Sequence, residues 1–165
     1  MGPPTCLTAV NQYSLADNGL TAVDLPDGVK TIQGWAFRNP MFSELVIPAS
    51  VTTMSQNYIC QNATEMTIYM CNPTPISIGS YTMSLKGSSG PYAKVIVPTA
   101  TADAYMSTGN NWKKSEITAP EIAGVEVAVT GVEVLGDRHI VSGCVNVSYD
   151  KAGLPGRFLA ANNAW

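Results

Sequence analysis

Charge is scarce in this sequence. Asp, Glu, Lys and Arg make up 13% of its 165 residues, where an ordinary soluble domain carries about a quarter. The nine Lys and Arg are scattered, and Lys113-Lys114 is their only adjacent pair. A surface that tracks phosphate needs a basic stripe. The sequence therefore argues against nucleic acid as a partner and, for the same reason, against an anionic membrane. Long apolar runs are also missing. The longest span about five residues, far short of the roughly 20 that cross a bilayer, so no integral membrane segment is expected. Met1-Gly2-Pro3-Pro4 lacks the charged and apolar start of a signal peptide. With a repeat beginning almost at once, it reads as the start of a trimmed or partial gene product.

Groups that carry chemistry are few. The single histidine, His139, has Asp137 two residues away. No nucleophile accompanies them, so a strand histidine is the plainer reading. The four cysteines, Cys6, Cys60, Cys71 and Cys144, fit no zinc spacing. Cys60 and Cys71 fall in adjacent turns and either meet as a disulfide or are two buried small hydrophobes. Cys144 reads as a strand residue. Asp17, Asp24, Asp27, Glu44 and Glu65 are spread along the chain, with neither the paired carboxylates of glycoside chemistry nor a calcium loop. No metal, cofactor or catalytic set is expected. A deep cleft lined by acids near Asp103 and Glu116 would change that reading.

What the sequence does have is repetition. Leu20, Val23, Leu25, Pro26, Val29, Ile32, Ala36 and Phe37 are followed 22 residues later by Phe42, Leu45, Ile47, Pro48, Val51, Met54, Tyr58 and Ile59. Leu7, Val10, Tyr13 and Leu15 precede Val29, Ile32, Trp35 and Phe37 at the same spacing. A fixed period of this length is the mark of a solenoid, in which each unit packs on its neighbours. The hydrophobic fraction of 45% suffices for a core. Thr, Ser, Asn, Gly and Pro supply the rest, residues of turns and threonine-rich strands.

Each unit predicts a short strand, a proline corner and a return. The strands are Val23-Asp24-Leu25, Leu45-Val46-Ile47, Met66-Thr67-Ile68 and Val95-Ile96-Val97, and three of the four meet Pro, which cannot donate to a ladder. Ser50-Val51-Thr52-Thr53-Met54 returns with Val51 and Met54 inward. Trp35, Phe37, Tyr58 and Ile59 fill the turn beyond. The period slips to 21 where Met66 and Ile68 match Leu45 and Ile47, then stretches to 28 where Ile96 matches Ile68. Asn72 to Pro91 forms the stretch, expected as loops on one face. Thr101 to Ser107 reads as a short helix, capped by Thr99 or Thr101 and helped by Asp103. With Tyr105 and Trp112 it suits the end of a solenoid. From Glu121 onward, alternating valines predict short antiparallel strands, with turns at Asp137-Arg138 and Ser142-Gly143.

These units resemble the BspA-type leucine-rich repeat of bacterial cell-surface proteins. Leu45-Val46-Ile47-Pro48-Ala49-Ser50-Val51-Thr52-Thr53-Met54 follows the family's Leu-x-x-Ile-x-Ile-Pro strand and Ser-Val-x-x-Ile return, with Tyr58-Ile59 in place of Ala-Phe. Pro73, Pro75, Val97-Pro98, Ala104-Tyr105 and Trp112 match the ending of such arrays. Asn39, Asn62 and, in the earlier unit, Asn18 fall where the family often has Cys or Asn. The resemblance covers Leu7 to Ile117. It implies a β-rich leucine-rich-repeat solenoid with a helical C-terminal cap over 7–118, followed by a small antiparallel β segment over 121–165. It further implies an extracellular or cell-surface protein that adheres to host or neighbouring-cell protein or glycan; with no convergent nucleophile, base or metal set in the sequence, no enzyme is expected. The other reading is a structural spacer or carrier with a C-terminal attachment or sorting segment. Tyr69, Tyr81 and Tyr92, in or around the stretched unit, are the candidate ligand-binding residues. Their plainer role is packing, with Tyr69 continuing a column and Tyr81 covering the enlarged repeat. Asn62-Ala63-Thr64 and Asn146-Val147-Ser148 match the glycosylation pattern, and Asn62 is equally accounted for as a turn residue.

Overall fold

The computed structural model describes residues 7–88, 90–107, 111–135, 138–150 and 153–162, with backbone alone at 127, 132–135, 138–148, 161 and 162. Met1–Ala119 with Pro155–Trp165 make one compact unit and Pro120–Leu154 a second.

The first unit is a β-solenoid of about five turns. Strands β1 (Ala9–Val10), β2 (Thr31–Ile32) and β4 (Thr53–Met54) form one parallel sheet. Strands β3 (Glu44–Ile47), β5 (Thr67–Met70), β6 (Lys94–Ile96) and β7 (Ile117–Thr118) form the other. The inward columns are those the repeat implies. Val10, Ile32 and Met54 are buried from the first sheet, and Leu45, Ile68 and Val95 from the second. Val51 and Met54 of the return segment are both inward. Each proline corner is a hydrogen-bonded turn: the carbonyls of Pro26, Pro48 and Pro98 accept from the N–H of Val29, Val51 and Thr101 at 3.0–3.1 Å. Cys71 stands where a proline would in the intervening unit. There the Asn72 side chain donates instead to the Ala49 and Val51 carbonyls, at 3.2 and 2.9 Å.

Four details differ from expectation. Val23-Asp24-Leu25 forms no strand, although Leu25 is buried; β3 opens the second sheet instead. Leu45 pairs with Ile68 rather than Met66, a period of 23. A slip of two residues keeps every side chain on its own face, so alternation in the sequence cannot detect it. Ile68 pairs with Val95 rather than Ile96, because the run Val95-Ile96-Val97 offers apolar residues to either register. Finally, 72–91 is not a set of free loops. Ile78, Met83 and Leu85 are core residues, and Ala93 N–H donates to the Met83 carbonyl at 2.8 Å.

Helix α1 (Ala102–Ser107) and a 3-10 turn (Asn111–Lys114) precede β7. Their aromatics Tyr105 and Trp112 have no exposed surface and meet edge to face at 5.0 Å. Both polar tips are satisfied. Tyr105 Oη–H donates to the Asn72 carbonyl and Trp112 Nε1–H to the Ile76 carbonyl, each at 2.8 Å. Burial pushes the Tyr105 hydroxyl's pKa well up.

The second unit is two antiparallel strands, β8 (Ile122–Leu135) and β9 (Arg138–Tyr149). They are longer and fewer than predicted. Ser142-Gly143 is no turn: it lies within β9 opposite a register shift between Val129 and Gly131, the mark of a β-bulge. The C-terminal segment does not stay in this unit either. Helix α2 (Gly156–Asn162) belongs to the solenoid unit, so among the described residues the expected β-rich stretch 121–165 is β-structured only through Tyr149. Among the described residues, no helix is long and apolar enough to cross a membrane.

Candidate functional site

The two sheets turn different residues outward. On the first, the aligned columns are Ala9, Thr31 and Thr53, then Asn11, Gln33 and Ser55. None carries charge. An open groove of about 380 Å³ lies here, lined by Gln12, Gln33 and Asn57, by the hydroxyls of Thr31, Thr53 and Ser55, and by Gly34 and Trp35. Gln33 Oε1 accepts the Gln12 N–H at 3.0 Å, and Ser55 Oγ accepts the Asn57 N–H at 3.1 Å. Gly34 matters through its missing side chain. A Cβ there would stand 2.9 Å from Ser55 Oγ and 3.3 Å from Asn57 Cβ.

Trp35 belongs to a row of rings along the turns. Tyr13 stacks on Trp35 at 5.6 Å, Trp35 leans on Tyr58 at 6.4 Å, and Tyr58 stacks on Tyr81 at 5.6 Å. Lys114 Nζ ends the row 5.9 Å from the Tyr81 ring centre, within cation–π range. Tyr13 and Trp35 both hold left-handed backbone, φ 58°, uncommon for bulky residues. Four residues on, Asp17 and Asn39 do the same at φ 54° and 52°, and Asn62 at 66°. Asn62 Nδ2 donates to Asn39 Oδ1 at 2.7 Å, and Asn39 Nδ2 donates to Asp17 Oδ1. The turn column therefore runs through Asp17, not Asn18, whose Oδ1 instead accepts the Leu20 N–H.

On the second sheet the outward column is Val46, Tyr69 and Ile96, and α2 covers part of it. Phe158 has no exposed surface and packs on Tyr69 at 5.6 Å. Arg157 donates to Asp24 Oδ1 at 2.7 Å, to Asp27 Oδ1 at 2.5 Å, and to the Leu25 carbonyl. Burial works against the guanidinium's charge, but the Asp27 and Asp24 hydrogen bonds outweigh it and its pKa rises. Both aspartates are largely exposed, so these pairs contribute about 1 kcal/mol or less each. Burial of Phe158 dominates the docking, at about 1.5–3 kcal/mol.

The three tyrosines singled out from sequence do not share a site. Tyr69 is 5% exposed, beneath Phe158, with its hydroxyl 3.4 Å from Glu44 Oε1; it is not an outward anchor, because α2 covers it. Tyr81 is 38% exposed in the ring row. Tyr92 is half-buried, its hydroxyl donating to the Ser88 carbonyl at 3.2 Å. The sequence missed the groove at Trp35, although the spacing of Tyr13, Trp35 and Tyr58 carried its signal.

Cys60 and Cys71 are both free and buried, so of the two readings the small hydrophobes apply. Cys60 faces the core, and burial pushes its thiol up to about 12. Cys71 lies outside that core beside Asp27, Pro48, Ala49 and Arg157, and burial pushes it up to about 11. Among the described residues no group of three or more His, Cys, Asp or Glu stands together to hold a metal. Asp137, Cys6 and the side chains of His139 and Cys144 lie outside the described residues. In comparisons with known proteins, no family model, no curated protein and no solved structure matches this chain.

Proposed function

We propose that this chain is a non-enzymatic binding module, a BspA-like leucine-rich-repeat segment of a cell-surface or secreted protein that adheres to host protein or glycan. The observation that carries this reading is the bare, uncharged outward face around Trp35. Its hydroxyl and amide side chains stand in rows fixed by the solenoid, next to a half-exposed ring. Contact residues held on strands lose little entropy when they bind. Helix α1 and the 3-10 turn, with Tyr105 and Trp112, serve as the cap that closes the core after the last repeat.

The alternative is a structural spacer, with the C-terminal segment used for attachment or sorting. The mutual stacking of Tyr13, Trp35, Tyr58 and Tyr81 favours it, since those rings already satisfy one another.

A screen of the purified chain against a glycan array and immobilised matrix and mucin proteins separates the two. Saturable binding, only modestly dependent on salt, is the expected result. A Tyr81→Ala, Tyr92→Ala double variant reports whether the last repeat takes part, and Trp35→Ala whether the bare face does. A chain that binds nothing on either panel is a spacer.

A further inference from the structure

We infer that the groove at Gly34 and Trp35 is a saccharide site, selective for neutral mono- or disaccharide units; the inference rests on the binding-module reading and names its ligand class.

The volume, about 380 Å³, sits at the low end of small-molecule sites, roughly 300–1,000 Å³. The lining decides the chemistry. It contains no Asp, Glu, Lys or Arg, so nothing there offsets the desolvation of an anionic sugar or a charged peptide side chain. It does contain three carboxamides and three hydroxyls. An amide side chain offers a donor and an acceptor together, and so does each hydroxyl of a sugar. Ile32, the aliphatic member of the lining, has no exposed surface, so the groove offers no aliphatic pocket for a peptide side chain.

Two features show a groove prepared in advance. The Gln12 N–H occupies Gln33 Oε1, which fixes that amide and leaves its NH₂ as the donor end. At Gly34 a Cβ would crowd Ser55 Oγ and Asn57 Cβ, both on the groove lining, and since the backbone is not left-handed, space rather than conformation requires the glycine. Trp35 lines the groove with its edge, its two faces being taken by Tyr13 and Tyr58. Among the described residues its indole N–H has no hydrogen-bond partner and remains a donor. The stacked neighbours Tyr13 and Tyr58 hold the ring in place, so little rotamer entropy is lost on binding.

The test is a glycan array carrying neutral, sialylated and sulfated oligosaccharides, followed by isothermal titration of the full-length chain with the best neutral methyl glycosides. Neutral glycans should bind with little change between 50 mM and 500 mM salt. Trp35→Ala should weaken them about tenfold or more, and Gly34→Ala, which displaces the lining residues Ser55 and Asn57, should do the same. Thermal unfolding and circular dichroism confirm that both variants fold; if either does not, Gln33→Ala replaces it and should weaken binding at least threefold. The inference is overturned if charged glycans alone bind, if the folded variants bind as the native chain does, or if no neutral saccharide binds at millimolar concentration. Protein ligands bound in that last case leave the module reading standing and remove only the sugar. No ligand of either kind removes both.

Discussion

The two faces of the solenoid share one interior and differ in what they turn outward. Behind both lie the same apolar columns, from Val10, Ile32 and Met54 on one side and Leu45, Ile68 and Val95 on the other. Outward, the first sheet offers Thr31, Gln33, Thr53 and Ser55 to solvent. The second offers Val46, Tyr69 and Ile96, and the chain brings back its own α2 to cover the middle of them. The repeat thus settles the interior, while the outward residues decide which face is closed and which stays open. An apolar outer strip acquires a cover because burial stabilises it at about 25 cal/mol per Å²; a polar strip gains nothing from one.

The shared interior is tested by Ile68→Ala. Ile68 is fully buried, so the substitution should destabilise the solenoid by about 2–5 kcal/mol, read from the urea midpoint. A much smaller loss would mean that the two faces do not rest on one core. Phe158→Ala tests the covered face alone. It should remove most of the α2 docking, about 3 kcal/mol, and speed tryptic cleavage after Arg157. In a Cys6→Ser, Cys144→Ser background it should also open Cys71, but not Cys60, to thiol reagents at pH 8.

Both thiols are neutral at that pH, their folded pKa values near 11 and 12 lying above the ordinary 9.0. Above pH 9 the unfolded chain loses these protons before the folded one does, so stability should fall as pH rises from about 9 to 12; chemical denaturation at pH 8 and 10.5 measures it. In Phe158→Ala the Cys71 share of that decline should disappear. Asn39→Ala removes a bond to Asp17, another from Asn62, and a residue suited to left-handed backbone. About 1–2 kcal/mol should be lost. The open face should respond least: Gln33→Ala should change stability by no more than about 0.5 kcal/mol, which sets it apart from every substitution beneath α2.

The interior was legible in the sequence because period and alternation both act on inward residues. Val51 and Met54 could be placed by counting. The register of β3 on β5 could not, since Met66/Ile68 and Ile68/Met70 present the same parity. The cover was out of reach for another reason. Arg157 meets Asp24 across 133 residues, and no local pattern announces a contact of that separation. The open groove lay between these cases. The row from Tyr13 to Trp35 and Tyr58 follows the repeat, but the close approach of Ser55 and Asn57 beside it depends on an absent Cβ at Gly34, which composition and periodicity do not register. Tyr81, singled out as a binding candidate with packing as its plainer role, is the fourth ring of that row.

The placement of the tryptophans gives the molecule its own optical reporters. Trp112 is sealed from solvent with its indole bonded to a carbonyl, so its emission should sit to the blue and resist quenching by iodide. Trp35 stands half-exposed in the groove wall between two tyrosines that can pass it their excitation. In a chain carrying Trp165→Phe, the red, quenchable part of the spectrum therefore follows events in the groove, and the blue part stays constant for as long as the packing around Trp112 is intact.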